Sequence, residues 1–222
     1  MKFERILIDI ETQHDFFHPG GSLYTREASK RARKIYRLFQ WAGRNQVPII
    51  STVLRVRRGE RGPLADVPHC VEETEGERKL LRTVRPKRIN LGMRNVTDVP
   101  HNLFEEYEQV IFEKRHTDMF QHAAAERLIT DIDEATFVIC GAGMSRGIVE
   151  AAVGLRNRGH GVILAEDAVL AVDPDRAAMA HDRMEAKGVV PARTESIVVP
   201  VKRKRRALVT VPPELFETPW KR

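Results

Sequence analysis

Three points along the chain place reactive residue types where a folded protein usually keeps its ligand. One short apolar run ends at Asp9, a second ends at Lys114, and a third leads into the glycine-rich residues 141–147. If the carboxylate and the ammonium meet, the lysine could hold the carboxylate ionised while the carboxylate acts as a base. A structural salt bridge, or no contact at all, fits the same spacing and is the more common outcome.

Residues 141–147 predict a tight turn between a strand and a helix. The residues before the turn are β-branched or aromatic, as in a strand buried on both faces, and those after Ser145 follow a helical period. Ser145 is a fair N-cap for that helix. Such a turn presents backbone N–H groups and the positive end of a helix dipole to a ligand above the sheet. An ordinary strand-to-helix turn without a ligand fits equally well.

The elements that must position these residues alternate between strand and helix. This alternation predicts a three-layer α/β/α fold around a six-stranded, mostly parallel sheet. The carboxyl ends of parallel strands share one edge, so Asp9, Lys114 and Gly147 are expected to converge there. Strands are predicted at residues 6–10, 48–53, 108–112, 136–140, 161–166 and 196–201, and helices at residues 27–42, 119–128, from 145 onward and 174–186.

Composition indicates one globular domain, expected over residues 1–201, with a basic C-terminal extension at residues 202–222. The chain has 222 residues, of which 42% are hydrophobic, and no apolar run approaches the length of a membrane-spanning helix. The first residues lead directly into a strand and do not resemble a signal peptide. Cys70 and Cys140 are far apart and do not suggest a disulfide framework, so we expect a cytoplasmic protein.

The net charge of +6 comes mostly from five consecutive basic residues, 202–206. Such a run suits phosphate contacts, but it also suits a solvated strand edge, where lysine and arginine discourage aggregation. No aromatic residues are interleaved with it, as a single-strand stacking surface would require. We therefore expect a small-molecule ligand, and neither nucleic acid nor a membrane.

Several segments, in order and at matching spacing over about residues 4–190, give the chain a family resemblance. It resembles the isochorismatase-like cysteine hydrolases, which include nicotinamidases and related amidohydrolases. The resemblance implies hydrolysis of small amides or related carbonyl compounds, without a cofactor, by a homo-oligomer, either a dimer or a tetramer. The matching segments are residues 6–16, 19–23, 69–76, 114–120, 141–148 and 159–168.

The resemblance also implies an Asp–Lys–Cys triad, with Asp9 as general base and Lys114 as its partner. The family's nucleophilic cysteine falls on Gly147, which has no side chain and cannot attack a carbonyl carbon. Two nearby residues are candidate substitutes. Ser145 would need a stronger base than a carboxylate, and Cys140 lies inside a strand, where cysteine usually acts as a small hydrophobe.

A substrate pocket is implied at Phe16, Ala142, Gly143 and Gly147. The family's oxyanion contacts are backbone N–H groups at the positions of Gly143 and Gly147, with a cis peptide bond near Ala142.

The nicotinamidase branch also carries a metal site, but two of its ligand positions hold Leu54 and Val56 here, and only His69 keeps an imidazole. We therefore expect no metal of that kind.

Two functions remain open. The chain is either an enzyme that uses water activated by Asp9 or an unrecognised nucleophile, or a pseudoenzyme that binds a small ligand or a protein partner.

Overall fold

The computed structural model describes residues 1–94 and 96–199. The basic extension, including residues 202–206, lies outside the described residues. The strands are β1 (Arg5–Ile10), β2 (Ile49–Leu54), β3 (Arg88–Asn90), β4 (Gln109–Lys114), β5 (Thr136–Ala142), β6 (Gly161–Leu170) and β7 (Val190–Ala192). The α-helices are α1 (His14–Phe17), α2 (Ala28–Asn45), α3 (Leu103–Glu106), α4 (Ala123–Thr130), α5 (Val149–Asn157), α6 (Pro174–Ala186) and α7 (Thr194–Ile197).

All neighbouring strands run parallel, in the order β3-β4-β2-β1-β5-β6-β7. This confirms the predicted three-layer α/β/α class, with seven strands in the described chain instead of six. The short edge strands β3 and β7 were not predicted.

The predicted strand at residues 196–201 is wrong in its described part. Residues 194–197 form the helical turn α7, and residues 200 and 201 lie outside the described part. The turn begins where the backbone N–H and hydroxyl of Thr194 both donate to the Asp167 carboxylate, at 2.8 and 2.7 Å.

Two apolar cores lie on opposite faces of the sheet, and β1 contributes to both. Ile6, Ile8 and Ile10 pack on one face with residues of α4 and α5, whereas Leu7 packs on the other face with residues of α2. This alternation is the two-residue period of a strand. It puts the side chain of Asp9 on the same face as Leu7, the α2 face.

Three predicted helices are present, one with its predicted bounds and two with revised bounds. The α2 helix begins one residue later than predicted and continues to Asn45, and α6 has the predicted bounds, with Pro174 in its first turn. The helix predicted at residues 119–128 is a 3₁₀ turn, Met119–Gln121, followed by α4. Within the described residues, no helix combines the length and the apolar character that a bilayer crossing requires.

Candidate functional site

The ion pair at the carboxyl edge of the sheet joins Lys114 to Glu11. Lys114 is the last residue of β4, and Glu11 is the first residue beyond β1. The Lys114 ammonium donates to Glu11 Oε1, and both side chains are almost completely buried. Since β2 lies between β1 and β4, the two long side chains meet across the end of β2.

The hydrogen-bonding capacity of Lys114 is fully used. Besides Glu11, its ammonium donates to the carbonyl oxygens of His116 at 2.9 Å and Thr117 at 2.8 Å. An ammonium has three donors, so none remains for a substrate oxygen. Glu11 Oε2, by contrast, is buried without a hydrogen-bond partner among the described residues. The pair therefore offers a ligand one free acceptor and no free donor.

The ion pair predicted between Asp9 and Lys114 is not formed. Asp9 instead accepts hydrogen bonds at Oδ2 from Lys79, from the Ser51 hydroxyl at 2.9 Å and from the Thr12 hydroxyl at 3.2 Å. Strand register gives the reason. Asp9 of β1 is paired with Ser51 of β2, and Ser51 is paired with Ile111 of β4. Ile111 lies three residues before Lys114 on the same strand. Three residues along a strand are about 10 Å.

Glu11 is therefore the acidic residue at this site, and the motif pattern of the sequence did not indicate it. Its backbone has a φ of 52°, in the left-handed region, which is uncommon for a residue with a side chain. The alternation of side chains between the two faces of the sheet ends at this residue. Counting residues from Asp9 therefore does not predict where the Glu11 side chain points. The signal available in the sequence was its position directly after the first buried strand, at the edge where Lys114 ends β4.

Gly147 lies directly beside Glu11. A Cβ atom built on Gly147 would be 3.1 Å from Glu11 Oε1 and 3.1 Å from Ile10 Cγ2, closer than side-chain carbons normally approach. The structure thus brings together two of the three predicted triad positions, Lys114 and Gly147, with Glu11 in place of Asp9. The carboxylate crowds the space into which a side chain at position 147 would extend.

Residues 141–147 form the predicted turn, but with different hydrogen bonding. A Cβ on Gly141, whose φ is 126°, would lie 1.9 Å from the Ile10 carbonyl oxygen, so this position requires glycine. The N–H of Gly143 donates to the Leu170 carbonyl at 3.1 Å, so it does not face the pocket as expected. No peptide bond in the described chain is cis, so the expected cis bond near Ala142 is absent.

The helix after this turn does not begin at Ser145. A single π-helical turn, Met144–Ile148, precedes α5, and no side chain caps it. Ala142 is fully buried at the end of β5. The predicted substrate-binding residues Ala142, Gly143 and Gly147 therefore lie together beneath the surface, and not on an open pocket wall.

Leu64 covers this turn. A Cβ built on Gly143 would be 3.4 Å from Leu64 Cδ2 and 3.6 Å from Glu11 Oε2, so the leucine and the free carboxylate oxygen approach the same point. Leu64 also lines a surface cleft of about 590 Å³ between residues 62–66 and residues 172–176. Leu64 therefore lines the cleft and also lies close to the buried Glu11.

His69 holds the segment that carries Leu64. Its Nδ1 lies 2.8 Å from the Val67 carbonyl, and its Nε2 accepts a hydrogen bond from the Leu64 N–H at 3.3 Å. Both ring nitrogens are thus engaged. With apolar Leu54 and Val56 at the other ligand positions, these residues do not fit the metal site of the nicotinamidase branch.

The remaining predicted residues are buried. Phe16 has no exposed surface and packs in the α2-side core, with its ring 6.3 Å from that of His69. Cys140 lies beside Asp9 in register, and burial, together with the Asp9 charge, raises the pKa of its thiol well above the ordinary value. Burial likewise raises the pKa of the Cys70 thiol. Neither cysteine presents a thiolate.

Comparison with known proteins relates the whole fold to one family. A family model described as the isochorismatase domain matches residues 5–196. No curated protein sequence matches the chain significantly.

Solved structures with similar folds include a nicotinamidase, an amidase and an isochorismatase-like hydrolase. Nicotinamidase from Bacillus subtilis has a TM-score of 0.65 at 19% identity, covering 86% of this chain and 100% of that one. N-carbamoylsarcosine amidase from Thermoplasma acidophilum has a TM-score of 0.61 at 17% identity, covering 87% and 98%. An isochorismatase-like hydrolase from Alkaliphilus metalliredigens has a TM-score of 0.66 at 13% identity, covering 88% and 96%. At these identities the likeness concerns the fold.

Proposed function

Because the chain belongs to the isochorismatase family, which it matches over residues 5–196, we propose that it binds a small amide without cysteine-dependent hydrolysis. The observation that carries this proposal is the Glu11 carboxylate, which crowds the position of the missing nucleophile and, among the described residues, keeps one oxygen without a hydrogen-bond partner. A buried carboxylate oxygen without a hydrogen bond is costly, so a ligand that supplies a donor is favoured.

The free oxygen selects the chemical class of ligand. An ionised carboxylate only accepts hydrogen bonds, and the Lys114 ammonium has no donor left, so the site favours an N–H group over an anion. A primary amide provides such a group. The amide class also agrees with the activities named for the structural neighbours, nicotinamidase and N-carbamoylsarcosine amidase.

Covalent catalysis lacks a nucleophile at this site. Gly147 has no side chain, and Cys70 and Cys140 are buried, with the pKa of each thiol raised by burial. Ser145 has no activating base among its hydrogen-bond partners in the described residues. The acyl-enzyme route of a cysteine hydrolase therefore has no starting group here.

Access to Glu11 requires Leu64 to move. The cleft of about 590 Å³ outside Leu64 is large enough for a small aromatic amide, and the leucine is its wall nearest to Glu11. A ligand that enters this cleft and displaces the leucine would place its N–H against Glu11 Oε2.

A second function has one observation in its favour. Lys114 holds Glu11 beside a position without a side chain, and a carboxylate so placed could act as general base toward a water molecule. This alternative predicts amide hydrolysis without a covalent intermediate.

One experiment separates the two functions. Binding of nicotinamide is measured by calorimetry, with nicotinate as the matched ligand that lacks the amide N–H, and ammonia release is followed in parallel. We expect nicotinamide to bind, nicotinate to bind more weakly, and ammonia to stay at background. Glu11→Gln, which loses the carboxylate acceptor, should weaken nicotinamide binding. Ammonia release that Glu11→Gln abolishes would establish the hydrolytic alternative, and absence of binding to nicotinamide and other small amides would refute the binding proposal.

We further propose a homo-oligomer, a dimer or a tetramer, and a cytoplasmic location. Multi-angle light scattering at micromolar concentration tests the assembly, and a monomer alone would contradict it.

A further inference from the structure

The backbone of Glu11 is held in a conformation that a residue with a side chain disfavours. Its φ of 52° lies in the left-handed region, where a β-carbon crowds the following carbonyl oxygen. Such a conformation persists only where the surrounding structure enforces it. The Glu11 N–H donates to the Thr52 carbonyl at 3.2 Å, and the Glu11 carbonyl accepts from the Gln13 N–H at 2.8 Å. Further support comes from the two residues that follow, Thr12 and Gln13.

Gln13 fastens one side of this turn. Its side-chain amide donates to the carbonyl oxygens of Leu54 at 2.9 Å and Glu77 at 2.8 Å. Its amide oxygen accepts a hydrogen bond from the Leu54 N–H at 2.8 Å. The fully buried Gln13 side chain therefore ties the turn both to the end of β2 and to residues 75–83, which we call the clamp segment.

Thr12 fastens the other side of the turn to the clamp segment. Its hydroxyl donates to Asp9 Oδ2 at 3.2 Å, accepts from the Lys79 ammonium at 2.6 Å and lies 3.0 Å from the Thr83 hydroxyl. Its carbonyl accepts from the Leu80 N–H at 2.9 Å. The residue directly after Glu11 is thus fixed through both its side chain and its backbone.

Lys79 joins these contacts to the central strand of the sheet. Its ammonium donates both to the Asp9 carboxylate on β1 and to the Thr12 hydroxyl. The Lys79 side chain is only 7% exposed, and Asp9, Thr12 and Thr83 have no exposed surface. Hydrogen bonds are stronger in such a low-dielectric interior. Lys79 therefore holds Thr12 at a fixed place relative to β1.

Stability alone is a weak reason for a buried ion pair at this place. Taking two charges out of water is costly, and apolar residues of similar volume often serve stability as well or better. The same face of β1 carries an apolar residue at Leu7, two positions before Asp9. The contact with Thr12 gives the Asp9–Lys79 pair a role that apolar residues could not supply.

We propose that Thr12 and Lys79 are positioning residues of the Glu11 site. They hold the Glu11 backbone left-handed, so that Oε1 stays on the Lys114 ammonium and Oε2 stays available to the N–H of a ligand. This inference rests on the proposed binding of a small amide. If the hold is released, fewer molecules have the binding-competent conformation, and the apparent affinity falls by the same fraction.

The first test removes the Thr12 hydroxyl and keeps the branched shape of the side chain. We expect Thr12→Val to weaken nicotinamide binding, measured by calorimetry, by about tenfold. The ¹³C NMR signal of the Glu11 side-chain carboxyl, identified by its loss in Glu11→Gln, should also shift. Thr12→Ser, which keeps the hydroxyl, should restore both. The matched control is Thr52→Val, which removes a buried hydroxyl without a hydrogen-bond partner among the described residues and should change neither.

The second test separates positioning from stability. Asp9→Leu/Lys79→Met replaces both members of the ion pair with apolar side chains of similar size, so no buried charge is left unpaired. This variant should unfold in urea at nearly the wild-type concentration. We nevertheless expect about tenfold weaker nicotinamide binding and a shifted Glu11 carboxyl signal, because Thr12 has lost two of its partners. A purely structural ion pair would not produce this combination.

Two results would overturn the proposal. One is an unchanged Glu11 carboxyl signal in the folded Thr12→Val and Asp9→Leu/Lys79→Met proteins. The other is a shift in Thr12→Val that Thr12→Ser does not reverse or that Thr52→Val reproduces. Thermal unfolding verifies that each variant folds. Because the carboxyl signal is measured without ligand, failure of the wild type to bind small amides would refute the proposed function, while the positioning role would still be decided by NMR.

Discussion

Glu11 and Gly147 form a complementary pair, in which the carboxylate of one crowds the space that a side chain on the other would need. A Cβ on residue 147 would lie 3.1 Å from Glu11 Oε1. A glutamate reaches one methylene further than an aspartate, and glycine is the residue that leaves it the most room. The Glu11 carboxylate therefore fills part of the space that a side chain at position 147 would occupy.

A cysteine introduced at position 147 should fit better when the acid at position 11 is shortened. We expect Gly147→Cys to lower the free energy of unfolding by about 1–3 kcal/mol, because it overpacks a buried site. Glu11→Asp/Gly147→Cys should cost less than the sum of the two single variants, because the shorter acid leaves room for the new side chain. Urea denaturation measures all three variants, with Ser145→Cys as a control of similar size in the same turn. Strictly additive costs of Glu11→Asp and Gly147→Cys would contradict the complementarity.

The thiol introduced in Glu11→Asp/Gly147→Cys should be the most reactive in the protein. Burial raises the pKa of both native thiols, Cys70 and Cys140, so both are protonated at neutral pH. We expect the new thiol to react with iodoacetamide first, as measured by peptide mass spectrometry after timed labelling. Labelling of Cys70 or Cys140 at the same rate would show that the site is closed to the reagent.

The observed pairing can be verified by double-mutant cycles. Glu11→Gln or Lys114→Met should each cost about 3–5 kcal/mol of unfolding free energy, because each leaves a buried charge unpaired. The double variant should cost clearly less than the sum. The same cycle between Asp9→Asn and Lys114→Met should be nearly additive, because these side chains do not pair. Strong coupling between Asp9 and Lys114 would contradict the arrangement.

Leu64 should control how fast a ligand reaches Glu11. We expect Leu64→Ala to increase the association rate of nicotinamide, because a smaller side chain leaves more space between the cleft and the carboxylate. Stopped-flow fluorescence measures the rate. Leu81→Ala is a suitable control, since that leucine is 84% exposed and lies elsewhere. The same rate in both variants would mean that ligands use another route.

Asp167 should contribute stability that is lost in acid. Burial by itself would raise the pKa of this carboxyl, but the hydrogen bonds from Thr194 and the Lys34 ammonium lower it below the ordinary value of 3.8. A depressed pKa in the folded state stabilises the protein above pH 3.8, and this contribution disappears as the pH falls further.

Asp167→Asn should therefore reduce the free energy of unfolding at pH 7 by about 1–3 kcal/mol. The loss of stability of the wild type below pH 3.8 should be smaller in this variant. Thermal unfolding across pH measures both effects. Asp175→Asn, at an exposed position, should change neither, and an unchanged acid profile in Asp167→Asn would refute the role of these hydrogen bonds.

The sequence by itself determined the fold class and the tight turn at residues 141–147. Buried parallel strands read as continuous apolar runs, so the central strands and the turn after β5 were predictable from local pattern. The start of α6 was predictable because Pro174 fits the first turn of a helix. The short edge strands β3 and β7, each of three residues, carry too little pattern to be recognised.

Only the tertiary structure decided which acid meets Lys114. That choice depends on strand register, which places Asp9 level with Ile111, and on the left-handed backbone at Glu11. It also depends on Lys79, which lies 70 positions after Asp9 in the sequence. Lys79, and not Lys114, donates a hydrogen bond to the Asp9 carboxylate. Register and long-range pairing arise from packing between distant segments, and no local pattern around Asp9 or Glu11 contains that information.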